Sequence, residues 1–276
     1  MGYKLIACDM DETLLNDHHQ IPQRNIDLIK RATAAGVKFV PATGRGYMSI
    51  QHDLKTLGLY DKEKEYVISF NGGALSENKD NYLMDFHGLS FEKTKEIFEF
   101  GLDFDVCQHV YTQDKLYVFN LSESEAERIK NQKVECEILE ENSIDFLKDV
   151  PISKILYQNI DVPYLMSIEP KIKHITDGYC AVSYSSNRYM EFNAIGVDKG
   201  QGLINLAKLL NIDIKDTIAV GDNYNDMAML EVAGLSVAAG NAVQDVKDAC
   251  DYTTKADNNE GVVAELIEKF IFHEEV

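Results

Sequence analysis

The stretch Lys4-Leu-Ile-Ala-Cys-Asp-Met-Asp-Glu-Thr-Leu-Leu15 decides the reading of this chain. Leu5 to Cys8 form an apolar run without polar alternation, the pattern of a parallel strand buried on both faces. Asp9 and Asp11 follow at once, one residue apart. In open α/β sheets ligands collect beyond the carboxyl ends of the strands, so both carboxylates leave the sheet where a substrate would lie. One can attack phosphorus as a nucleophile while helping to hold a cation, and the other, if kept protonated, can give a proton to the leaving oxygen. An Asp-x-Asp pair alone is a weak signal, because 46 of the 276 residues are acidic and a solvated surface pair is the ordinary alternative.

Three further segments add to it. Val37-Lys-Phe-Val-Pro-Ala-Thr-Gly-Arg-Gly46 is an apolar run that closes on Thr43, Gly44 and Arg45, bringing a hydroxyl, flexible backbone amides and a cation to a second strand end. Lys199, in Val197-Asp-Lys-Gly-Gln201, opens the helical pattern of Leu203, Leu206, Ala207 and Leu210, and a lysine near a helix start is a compact charge for a phosphate. Thr217-Ile-Ala-Val-Gly-Asp-Asn-Tyr-Asn-Asp-Met227 supplies another buried strand, with Asp222 just past its end and Asp226 about one helical turn further.

These four segments, in this order, resemble the motifs of the haloacid dehalogenase superfamily, and most closely its Cof-type class IIB phosphatases. The likeness spans nearly the whole chain; Asn71-Gly72 and Asp257-Asn-Asn-Glu-Gly-Val262 also fit the Cof-type pattern. The resemblance implies that Asp9 is the nucleophile and Asp11 the general acid and base. It implies that Thr43, Gly44 and Lys199 bind the phosphoryl group, and that Asp222, Asp9 and the backbone carbonyl of Asp11 hold Mg²⁺. Asp226 and Asn225 would support metal and phosphate from a second layer. One departure stands out: Glu12 occupies a place where many relatives have Gly, and its side chain is expected to face solvent, because an unpaired charge turned into the site would be costly.

The chain carries a formal net charge of −19 at pH 7. Such a surface disfavours nucleic-acid backbones and anionic membranes, and the field must be reversed locally by Mg²⁺, Lys199 and Arg45 for a phosphorylated substrate to bind. No run of about 18 apolar residues exists to cross a bilayer. Five cysteines, at 8, 107, 136, 180 and 250, form no close pair, which argues against disulfides and a zinc site and places the chain in the cytoplasm.

The first part alternates strand and helix and reads as a doubly wound, Rossmann-like α/β core with a parallel sheet. Pro22 opens a helix through Ile26, Ile29 and Thr33 that ends at Gly36; a second helix is expected over Met48 to Leu57 and a third strand over Tyr66 to Ser69. Between residues 82 and 192 the pattern changes to helices near Phe91–Phe104, Ser124–Gln132 and Pro163–His174, mixed with short strands. That stretch is expected to be an inserted α+β cap, with the core made of 1–81 and 193–276. Substrate choice falls to the cap, where His109, Tyr111, Tyr117, Lys154, Tyr184 and Ser185 are candidates to face an organic leaving group. Ser186 and Arg188, close before Lys199, are the preferred ones.

The expected activity is therefore Mg²⁺-dependent hydrolysis of a small phosphorylated metabolite, a sugar phosphate above all, through an aspartyl-phosphate on Asp9. A sugar phosphomutase using the same intermediate and a non-enzymatic phospho-acceptor regulator are the alternatives. The substrate itself and the oligomeric state are not legible.

Overall fold

Leu5–Cys8 is a strand whose four side chains have no solvent exposure, and a parallel neighbour flanks it on each side. In the computed structural model, which describes residues 2–132 and 134–274, this strand sits inside a five-stranded parallel sheet. The order across the sheet is Tyr252–Thr253, Leu235–Ala238, Thr217–Gly221, Leu5–Cys8, Lys38–Pro41. Cys8 is in register with Val220 on one side and Pro41 on the other, so the three strands end within one residue of one another. Full burial of each Leu, Ile or Val here contributes about 1.5–3 kcal/mol, which fixes the register that the site depends on.

Helix Gln23–Ala34 packs its Ile26, Ile29 and Ala32 inward and lies beside helix Val262–Phe270. Buried Asn25 ties the two helices by accepting the Ala264 N–H at 2.9 Å. The expected helix over Met48 to Leu57 is split: Tyr47–Ile50 is a 3₁₀ turn, and only Gln51–Leu57 is α-helical. Ser49 turns its hydroxyl back onto the Gly46 carbonyl at 2.7 Å, a local bond that competes with a regular first turn. Strand Tyr66–Ser69 forms a three-stranded antiparallel sheet with Ala74–Glu77 and Tyr82–Phe86. It also meets Ala42 through a parallel bridge at Ile68.

The chain separates into two compact units, one running to Asp85 and resuming at Asp198, the other Phe86–Val197. The boundaries expected at 81/82 and 192/193 therefore shift by several residues. Tyr82–Phe86 pairs into the first unit's three-stranded sheet, and 192/193 falls inside the strand Tyr189–Ala194, whose alternation the sequence reading missed. The second unit holds a six-stranded sheet in the order Cys180–Ser185, Tyr189–Ala194, Ile152–Gln158, Cys107–Thr112, Leu116–Phe119, Glu137–Leu139. Helices Phe91–Gly101 and Val162–Thr176 close a core with the sheet, built from Phe98, Tyr157, Ile168 and Phe192 among others. Among the described residues no helix is long and apolar enough to cross a membrane.

Candidate active site

Three neighbouring strand ends deliver three segments to one place. Asp9 follows Cys8, Thr43 lies two residues beyond Pro41, and Asp222 follows Gly221. A fourth group arrives from the first turn of helix Lys199–Leu209, whose start is capped by the Asp198 carboxylate accepting the Gln201 N–H at 2.8 Å. Lys199 is wholly buried. Its ammonium donates to Asp9 Oδ1 and, at 2.6 Å, to Asp226 Oδ1. Asp226 in turn accepts the backbone N–H groups of Asp222 at 3.0 Å and Asn223 at 3.2 Å, which holds the turn after the strand. Thr13 donates its hydroxyl to Asp222 Oδ1 at 2.8 Å.

Asp9, Asp222 and Asp226 thus form a buried cluster in which one ligand oxygen of each lies within 4.8 Å of the others. Against three carboxylates stands one ammonium, and the titration of the groups reflects that imbalance. Burial, followed by the charge of Asp226, pushes Asp9 well above the usual carboxylate range in spite of Lys199. Burial and Asp226 likewise raise Asp222 to about 7, against the opposing hydrogen bond from Thr13. Burial alone would depress Lys199, but Asp226 and Asp9 outweigh it and keep the ammonium protonated far into the alkaline range. An all-oxygen donor set with excess negative charge fits a hard divalent cation such as Mg²⁺. The cluster could hold such a metal ion.

Asp11 stands apart from the cluster. Its side chain is 47% exposed and is gripped by both sides of the Arg45 guanidinium, with Nε to Oδ2 at 2.9 Å and Nη2 to Oδ1. Burial would depress Arg45, but Asp11 offsets this and raises it. Thr43 is fully buried; its hydroxyl oxygen accepts the Arg45 N–H at 3.1 Å, which leaves the hydroxyl proton available to an anion. Asn225 is exposed on the turn Tyr224–Asp226.

Glu12 points to solvent, as expected, and its backbone is left-handed with φ +62°. Glycine would adopt that conformation without strain. One contribution escaped the sequence reading: Thr13 is a donor to Asp222. Asp226, expected behind the metal, lies within the carboxylate cluster itself, beside Asp9 and Asp222. Spacing within the motif gave no signal for Thr13, since its bond depends on where a turn folds back.

The second unit's candidates are bound up with one another. Ser186 and Asn187, at φ +51° and +49°, are the central residues of the turn in the three-residue connection between strands Cys180–Ser185 and Tyr189–Ala194, which the Arg188 N–H closes by donating to the Ser185 carbonyl at 3.2 Å. Arg188 donates to Glu125 Oε2 at 3.2 Å, and Tyr189 donates its hydroxyl to Oε1 of the same carboxylate at 2.7 Å. Lys154 is buried against Glu191, and buried His109 is held well below its ordinary range, at about 3, chiefly by burial. Glu125 has no solvent exposure and anchors this network, which sequence patterning did not reveal.

The family model for haloacid dehalogenase-like hydrolases matches residues 6–266. The chain belongs to the haloacid dehalogenase-like hydrolases. Within them it is of the Cof type, in agreement with its motifs. Phosphatase YwpJ of Bacillus subtilis is 30% identical over 283 residues, covering 94% of this chain and 97% of that one. A second protein of the same organism, the 5-amino-6-(5-phospho-D-ribitylamino)uracil phosphatase YwtE, is 28% identical over 94% of this chain and 95% of its own. A haloacid dehalogenase-like hydrolase from Bacteroides thetaiotaomicron superposes with a TM-score of 0.85 at 30% identity, covering 97% of this chain and 99% of that one. The chain is an enzyme, a phosphatase of this family.

Proposed function

We propose that this haloacid dehalogenase-like hydrolase is a Mg²⁺-dependent phosphatase of small phosphorylated metabolites, with sugar and sugar-alcohol phosphates as its substrate class, acting through an aspartyl-phosphate on Asp9. The observation that carries the proposal is the buried Asp9, Asp222 and Asp226 cluster served by one lysine, beside a separate, half-exposed Asp11. The two aspartates of the first motif thus have different surroundings: Lys199 and a bound cation would keep Asp9 charged as the nucleophile, and Asp11 would become free to carry a proton once Arg45 leaves it for the phosphoryl group. The phosphorylated ribityl chain named for YwtE supports the substrate class. Five free cysteines support a cytoplasmic site of action.

Asp9, Asp222 and the backbone carbonyl of Asp11 would hold Mg²⁺, with Asp226 behind them. The bound cation would supply charge neutralisation for the phosphoryl oxygens and lower the repulsion that Asp9 meets. Lys199 orients Asp9 by holding one of its oxygens. The other oxygen attacks phosphorus, and the bond from phosphorus to the substrate oxygen breaks in line. Asp11 gives its proton to that departing oxygen, so the alcohol leaves neutral. Asp11 then takes a proton from water, whose oxygen attacks phosphorus and breaks the bond to Asp9, releasing phosphate and restoring the carboxylate. Thr43, the Gly44 amide and Lys199 bind the phosphoryl oxygens throughout, and Arg45, on releasing Asp11, is placed to join them.

A panel of phosphorylated metabolites assayed for phosphate release in Mg²⁺ tests the reading. Asp9→Asn should abolish turnover with the fold intact, and a chelator should do so reversibly. Full activity after exhaustive chelation, or substantial turnover by Asp9→Asn, would sink it. Isomerisation of a sugar phosphate without free phosphate would convert the reading to a mutase.

A further inference from the structure

Asn71 is drawn into the turn that follows strand Lys38–Pro41 without having a role in the mechanism above. Its backbone N–H donates to the Thr43 carbonyl at 2.9 Å, and its φ is +53°. The side-chain amide lies flat on Gly44: a Cβ at that glycine would stand 3.1 Å from Asn71 Oδ1 and 3.4 Å from Nδ2. Asn71 Oδ1 is buried and has no hydrogen-bond partner among the described residues. Buried amide atoms are rarely left unpaired, and turning an amide over exchanges its acceptor for its donor at the same place. The next residue keeps it there: Gly72 has φ +95°, and a Cβ on it would come within 2.0 Å of the Asp198 carbonyl oxygen.

We propose that Asn71 is a substrate-contacting residue, its amide donating a hydrogen bond to a phosphoryl oxygen bound at the Thr43-Gly44 turn. The proposal rests on the assignment of that turn to the phosphoryl group. The turn brings a hydroxyl, a backbone amide and the Asn71 side chain together, and an amide at such a place adds a donor without adding charge. Asparagine rather than aspartate suits this, since a carboxylate would repel the dianion.

A conformational role is the competing explanation, because asparagine tolerates left-handed backbone. Glycine tolerates it better, so Asn71→Gly separates the two; Asn71→Ala would strain the backbone and is not informative. In the full-length enzyme with Mg²⁺, Asn71→Gly should raise the Ki of inorganic phosphate about 10- to 100-fold and lower kcat/KM equally for a sugar phosphate and an aryl phosphate, with Tm unchanged. Asn71→Asp should weaken phosphate further. An unchanged phosphate Ki in Asn71→Gly overturns the proposal whatever happens to turnover, and so does Asn71→Asp binding phosphate as well as Asn71→Gly. The parent reading is judged separately, by turnover of Asp9→Asn, which phosphate inhibition of the Asn71 variants does not involve.

Discussion

Removing the charge of Asp222 should stabilise the metal-free enzyme while destroying its activity. Asp222 retains its proton to about pH 7 in the folded chain, against an ordinary value of 3.8, because burial and Asp226 oppose its charge. Over that window the unfolded chain binds fewer protons than the folded one, so stability falls as pH rises and is recovered as pH drops. At 1.36 kcal/mol per pKa unit, the folded state carries a penalty of about 4 kcal/mol at pH 7.5 and about 2 kcal/mol at pH 5.5, as upper values. Asp222→Asn removes the penalty and keeps an oxygen to accept the Thr13 hydroxyl. In chelator, urea unfolding should therefore show the variant more stable than wild type, with a gain about twice as large at pH 7.5 as at pH 5.5. With saturating Mg²⁺ the order should reverse, because only the carboxylate gains from the cation. A variant less stable than wild type in chelator at pH 7.5, or a gain independent of pH, would refute the claim that unneutralised charge dominates this cluster.

Asp11→Asn should slow an alkyl phosphate by about 10²–10⁴ and an aryl phosphate much less, because a good leaving group needs no proton. Trapped phosphoenzyme should then be seen by rapid quench with the aryl ester; an equal loss on both substrates with no phosphoenzyme would remove Asp11 from proton transfer. Glu12→Gly should leave turnover unchanged and shift unfolding free energy by less than about 1 kcal/mol, since relief of the left-handed backbone offsets the extra freedom of the unfolded chain. A tenfold loss of kcat/KM would show that the exposed carboxylate takes part in the site.

The apolar runs Leu5–Cys8 and Thr217–Gly221 were legible as buried parallel strands, since burial on both faces admits no polar alternation. Asp9, Thr43, Lys199 and Asp222 were legible with them, because chemistry beyond a strand end or at a helix start keeps a fixed offset from a visible pattern. The second unit yielded less. Strand Glu137–Leu139 is three residues long with Ile138 half exposed, so it carries no period to detect, and Tyr189–Ala194 hides buried Glu191 and Asn193 in what would otherwise read as core. Charged pairs such as Arg188 with Glu125 and Lys154 with Glu191 lie 63 and 37 residues apart, and no local rule links such partners. The same holds within the site: the pattern of one segment places a carboxylate at a strand end, but only the fold brings Lys199 between Asp9 and Asp226, 190 and 27 residues away. Sequence determined which groups stand at the ends of the core elements. Tertiary structure decided their charges, because burial and the distances between distant segments set each group's hold on its proton.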